Sequence, residues 1–245
     1  MPQPRHLPNA PIREALIDIS VRPHKGLDLE IMQKLCDGVT GEYPKIVEIR
    51  EAELELDFTQ EPNRVSQTHT VTGFRCLNKD GNKLVQFRLN GFTYNWLRPY
   101  SDWADLRDAA KDLWHAYAEA TKPNLVTRVG LRYINNLEFP APFKDFRDYL
   151  TSPPAVPAQV PQQVTRFLAR VSVVDESTNN AAIITQAFEG IVDPRQVTVI
   201  LDIDTSKRTE FRGDDEIWQT LEGLHTFKNQ IFFNSLTEEA VRLFE

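Results

Sequence analysis

Over much of the chain, apolar and polar residues alternate with a period of two, the pattern of a strand with one buried face. Ala15, Ile17, Ile19 and Val21 share one face of the stretch from Ile12 to Val21, and Asp18, Ser20 and Arg22 share the other. In Ile46 to Phe58, the residues Ala52, Leu54, Leu56 and Phe58 alternate with Glu51, Glu53, Glu55 and Asp57. Ser66 to Asn78 is a threonine-rich strand, and Lys79-Asp80-Gly81-Asn82 and Asn90-Gly91 are hairpin turn sequences. They bound two more strands, Lys83 to Leu89 and the aromatic Phe92 to Trp96. In Val126 to Phe139, Val129, Leu131 and Tyr133 alternate with Arg128, Gly130 and Arg132. Further strands are predicted over Val164 to Val174, with Phe167, Ala169, Val171 and Val173 inward, and over Ala181 to Phe188 and Gln196 to Asp204. Lys207 to Arg212 reads as a short edge piece.

Steps of three and four mark the helices. Leu27, Ile31, Leu35 and Val39 lie on one helical face. The clearest helix carries Trp103, Leu106, Ala110, Leu113, Trp114 and Tyr117, with Ser101 as its cap and a stop at Lys122-Pro123. Phe143 to Leu150 fits a short helix. A last long helix, capped by Asp214 or Asp215, has the stripe Ile217, Trp218, Leu221, Leu224, Lys228, Ile231 and Phe232. Leu236 to Glu245 adds a short one.

Each half therefore runs strand, helix, antiparallel strands, long helix, with Trp103 or Trp218 in the first turn of the long helix. The expected class is α+β, an antiparallel sheet with helices segregated to one side. The expected division is residues 1–123 and 124–245, as two tandem units or as one continuous domain. The element order resembles a helix-grip repeat, two of which build the TATA-binding protein.

Composition narrows the partners. The 245 residues carry a net charge of −7, which opposes binding of nucleic acid or an anionic membrane by the whole surface. No apolar run approaches the ~20 residues of a membrane span. The opening MPQPRHLPNAP lacks the apolar core of a secretory signal. Cys36 and Cys76 have no metal-ligand spacing, as expected of free thiols in a reducing cytoplasm.

Familiar catalytic signatures are missing. There is no Gly-x-Ser-x-Gly elbow, no His-Glu-x-x-His pair and no phosphate-binding glycine loop. His115 and His225 lie beside the core stripes of the long helices. Two constellations remain. Glu51, Glu53, Glu55 and Asp57, with Arg128, Arg132, Arg166 and Arg170, could line a charged tunnel in which acids hold Mg²⁺ and arginines hold phosphates. The plainer reading is solvated sheet faces with cross-strand ion pairs, and Asp202 and Asp204 read the same way. Phe92, Tyr94 and Trp96, flanked by Arg88 and Arg98, could be a base-stacking platform or the core beneath the helix that carries Trp103 and Trp114.

Leu7-Pro8-Asn9-Ala10-Pro11-Ile12-Arg13-Glu14-Ala15 resembles the opening of a sporadically distributed family of uncharacterised bacterial proteins of about this length. Asn90 to Trp103, with its aromatic strand, Pro99-Tyr100 turn and Trp103, is similar to a second signature of that family. Arg128 to Asn135 (RVGLRYIN) resembles a third. The resemblance implies no agreed activity; the family's patchy occurrence suggests mobile or defence-associated genes, with toxin neutralisation as one such role. The leading expectation is a non-enzymatic, protein-binding module in the cytoplasm, without a cofactor and able to form a homo-oligomer. The alternatives are a phosphohydrolase or nucleotide-binding protein using Mg²⁺, and a binder of single-stranded nucleic acid.

Overall fold

A computed structural model describes residues 3–57, 64–142, 144–190 and 193–245, with side chains for all of these except 53–57 and 64–67. The alternating stretches form nine strands of one antiparallel sheet. The first half supplies β1 (Ile12–Arg22), α1 (Leu29–Val39), β2 (Lys45–Asp57), β3 (Arg64–Leu77), β4 (Lys83–Arg88), β5 (Gly91–Leu97) and α2 (Trp103–Thr121). The second supplies β6 (Leu125–Pro140), a 3-10 turn (Phe146–Asp148), β7 (Phe167–Asp175), β8 (Asn180–Phe188), β9 (Gln196–Phe211), α3 (Asp214–Ser235) and α4 (Glu238–Arg242).

The strand order is β2-β3-β4-β5-β1-β6-β9-β8-β7. Each half thus sends its first strand to the middle, where β1 pairs with β6, and its second strand to an outer edge. Ile17 and Ile19 of β1 and Val129 and Leu131 of β6 join Leu106 and Trp114 of α2 and Leu221 and Leu224 of α3 in the main core. A second cluster lies under the end of α3, around Phe139, Leu201, Ile203 and Phe232. All the large helices lie on one face. The other face carries the polar positions of the same strands, as period-two alternation requires.

Several expected details differ. Asp102, not Ser101, caps α2 by accepting from the Asp105 backbone N–H at 2.9 Å. The Ser101 hydroxyl instead donates to the Asp105 carboxylate. Neither Asp214 nor Asp215 caps α3, which starts at Gly213 without a side-chain cap. The expected helix over 143–150 is only the 3-10 turn, and Phe143, like Phe58 at the end of the expected second strand, lies outside the described residues. β9 is one strand of 16 residues, because β6 runs beside its whole length and pairs Val129 with Lys207 and Arg128 with Arg208. Val171 and Val173 of β7 were expected inward but are exposed. α3 lies over β6 and β9, leaving much of the β7–β8 hairpin uncovered.

Candidate functional site

The end of α3 that covers β6 borders a cavity of about 420 Å³. Its walls come from four places in the chain. Residues 4–12 form a strap across one side, Tyr100 to Trp103 supply the approach to α2, Tyr133 and Asn135 rise from β6, and His225, Lys228 and Phe232 descend from α3. Three of these four pieces fall in the stretches LPNAPIREA, Asn90 to Trp103 and RVGLRYIN.

Local chemistry explains each placement. Asn9 fixes the strap, since its backbone N–H donates to the Phe244 carbonyl and its side-chain amide to the Glu245 carbonyl, both at 3.0 Å. Arg5 adds an exposed ion pair to Glu245. The turn at Pro99-Tyr100 is held by the Trp96 indole, which donates to the Pro99 carbonyl at 3.0 Å. Tyr133 alternates with Arg132 along β6, so its ring faces the helices, where its hydroxyl meets that of Tyr100 at 2.9 Å. Burial raises the pKa of both phenols, so they stay neutral. Asn135 donates to the Leu201 carbonyl at 2.9 Å.

Lys228 is the unusual member. It is 7% exposed, and its Nζ sits 3.8 Å from the centre of the Tyr133 ring, a cation–π contact. Among the described residues no carboxylate pairs with it. Burial without a counter-charge favours the neutral amine, and the pKa of Lys228 falls to about 7. His225 lies one turn earlier, with its ring stacked on Trp103 at 4.6 Å. Burial, and then the neighbouring Lys228 charge, lower the pKa of His225 to about 4 against the opposing pull of Glu222. Glu222 itself is engaged by the Trp103 indole at 2.9 Å and by Arg107 at 2.8 Å. The cavity therefore offers flat aromatic surfaces, two neutral phenols and one amine able to take up a proton near neutrality.

The charged residues singled out in the sequence do not converge. Glu51 lies on β2, with four strands between it and Arg128 and Arg132 on β6, about 24 Å at the usual strand spacing. Glu53, Glu55 and Asp57 continue along β2, and their side chains lie outside the described residues. Arg170 is on β7 at the opposite edge, and Arg166 precedes that strand. Arg128 and Arg132 meet other acids on the helix-free face. Asp18 accepts from Arg88 at 2.7 Å, from Arg128 at 2.9 Å and from Thr93 at 2.8 Å. Arg132 makes a two-pronged pair with Asp202, at 2.8 and 2.6 Å. Arg128 also reaches Asp204 at 3.3 Å, whose carboxyl is raised by burial against the pull of Arg128.

Glycine makes room for this network. A Cβ on Gly91 would stand 2.6 Å from the Ile19 carbonyl oxygen and 3.2 Å from the Arg88 guanidinium, so Arg88 can lie flat across the strand to reach Asp18. Among the described residues, no three acidic, histidine or cysteine side chains gather as a metal-binding group. Phe92, Tyr94 and Trp96 are all buried. Phe92 lies 5.9 Å edge-on to Trp114 of α2, which makes this strand core and closes it to a stacking base.

Sequence reasoning did not single out Lys228, Tyr100 or Tyr133. The signal was a lysine inside an otherwise apolar helical stripe. No described helix is long and apolar enough to cross a membrane. The sequence matches no protein-family model, and no curated protein matches it significantly.

Proposed function

We propose that this chain is a binding module whose cavity takes an anionic group carried on a flat apolar body. Lys228 carries the reading: a buried amine at the cavity wall without a carboxylate partner among the described residues. An anion would supply the missing counter-charge in a low-dielectric setting, where such a pair is strong. The Trp103–His225 stack and the Tyr100–Tyr133 pair would hold the body of the ligand. A volume of about 420 Å³ is in the usual range for ligand sites. A free aromatic acid has this chemistry, and so does the terminal carboxylate of a partner protein that ends in an aromatic residue. The second source agrees with a protein-binding role.

Calorimetry with benzoate, phenyl phosphate, a peptide ending in phenylalanine and the amide of that peptide tests the reading. The acids bind, the amide does not, and the Lys228→Met variant binds none of them. Tight peptide binding with weak benzoate binding assigns the site to a protein terminus, and the reverse to a small acid. No binding of any acid, or equal binding by K228M, overturns it.

We also infer that the halves are tandem copies of one helix-grip unit. Support comes from the shared element order and from the central β1–β6 pair, with the remaining strands of each half ranged outward from it.

A further inference from the structure

The two edges of the sheet are built differently. β2 carries Lys45, Glu48, Arg50, Glu51, Glu53, Glu55 and Asp57, and charge of this kind blocks edge-to-edge pairing. β7, at the other edge, is nine residues long with the sequence FLARVSVVD. It contains no lysine or proline, and among the described residues its ladder is made to β8 alone. Leu168 is 75%, Val171 55%, Val173 36% and Val174 59% exposed. An unpaired edge of this length with so much exposed apolar surface is a template for another strand.

We propose that the β7 edge pairs antiparallel with β7 of a second copy of this chain, joining two sheets into one across a two-fold axis at Val171. The register follows from parity. Two identical strands related by a two-fold axis perpendicular to the sheet keep like faces together only if the residue numbers of each pair sum to an even value. An axis at Arg170 would set two guanidinium groups against each other, which is unfavourable. An axis at Ser172 would set Leu168 against Glu176 and Ala169 against Asp175. An axis at Val171, the middle of the strand, sets Leu168 against Val174 and Ala169 against Val173, each twice. It also sets Arg166 against Glu176 at both ends. Both of these residues are exposed, so the charges match where the apolar pairs stop. Asp175 falls opposite Phe167 in this register, but its carboxylate is already taken up by Ser177 and Thr178 in its own turn. Phe167 is turned toward Phe146 and Phe188.

Sedimentation velocity over a concentration series tests this on the full chain. The wild type forms a dimer. Val171→Lys, which would place two ammonium groups on the axis, gives a monomer that keeps the far-ultraviolet circular dichroism spectrum of the wild type. Val171→Cys closes a covalent dimer with oxidised glutathione, while the wild type, whose two cysteines are buried, does not. A wild-type chain that stays monomeric at its highest soluble concentration overturns the proposal and leaves the edge to a foreign strand. A dimer that survives V171K, or that V171C fails to cross-link, forms through another surface and overturns it as well.

Discussion

Replacing Lys228 by methionine should make the protein more stable, because the lysine occupies a place that suits an apolar residue. Tyr133, Phe232 and Phe233 share the cavity wall with it, beside His225 and Asn229, and its pKa falls from 10.5 to about 7 through burial alone. At 1.36 kcal/mol for each pH unit, that drop corresponds to about 5 kcal/mol against folding when the amine is charged. Relaxation and water entry reduce such a penalty, and loss of the contact with Tyr133 gives back about 1 kcal/mol. The expected net gain for K228M at pH 7 is about 2–4 kcal/mol. The sign of the pH dependence is fixed. The unfolded lysine holds its proton up to 10.5 and the folded one only to about 7, so unfolding takes up a proton in that window. Wild-type stability therefore rises with pH between about 7 and 10.5, and the penalty is complete below it. Urea denaturation of both proteins at pH 7 and near pH 10 reads the effect: a large gap at pH 7 that narrows at high pH. A variant less stable than the wild type at pH 7, or a gap that ignores pH, would mean that the buried ammonium carries no such penalty.

Other outcomes follow from the same geometry. His225 titrates at about 4 against 6.5 in the unfolded chain, so stability falls as pH drops from 6.5 toward 4. At pH 5 the loss is about 1–2 kcal/mol, and urea curves at pH 5 and 7 should show it in the wild type and not in His225→Gln. In K228M the His225 pKa should rise, since one of the two effects that hold it down is gone; NMR titration of the imidazole checks this. Asp18→Ala strands Arg88 and leaves Arg128 with Asp204 alone at 3.3 Å, both guanidinium groups being partly buried, and should cost about 2–3 kcal/mol, with Asp18→Asn milder. Cys36 and Cys76 lie 2.7 Å apart and buried. The Cys36 thiol contact and then burial push the Cys76 thiol upward; both side chains are buried, so neither should react with an aromatic disulfide reagent until the chain unfolds.

Much of the fold could be read from period. The two-residue alternation of β1 and β6 assigns Ile17, Ile19, Val129 and Leu131 to the core face and Asp18, Arg128 and Arg132 to the other, as observed. Such a pattern says which face a residue takes but not which strand lies beside it. The acids that meet Arg128 and Arg132 come from β1 and β9, because registry across β1, β6 and β9 places Asp18, Asp202 and Asp204 within reach. Glu51 was the more visible acid in sequence and stands at the edge. β9 reads as two pieces because Ser206 and Lys207 interrupt its apolar alternation, yet pairing to β6 carries it through. Lys228 was visible as a cation in an apolar stripe, but a lysine stem can lie along a core and lift its ammonium into water. The strap, the Pro99-Tyr100 turn and Tyr133 wall the cavity around the amine, and they come from distant parts of the chain.

The titration of Lys228 itself decides whether a buried amine waits for an anion in this cavity. NMR of the Lys228 side chain, assigned by difference against K228M, follows the amine with and without saturating benzoate. A pKa near 7 in the free protein that climbs toward the ordinary lysine value with benzoate bound is the expected result. An amine that titrates near 10.5 in the free protein, or one that benzoate leaves unmoved, would mean that Lys228 holds no anion.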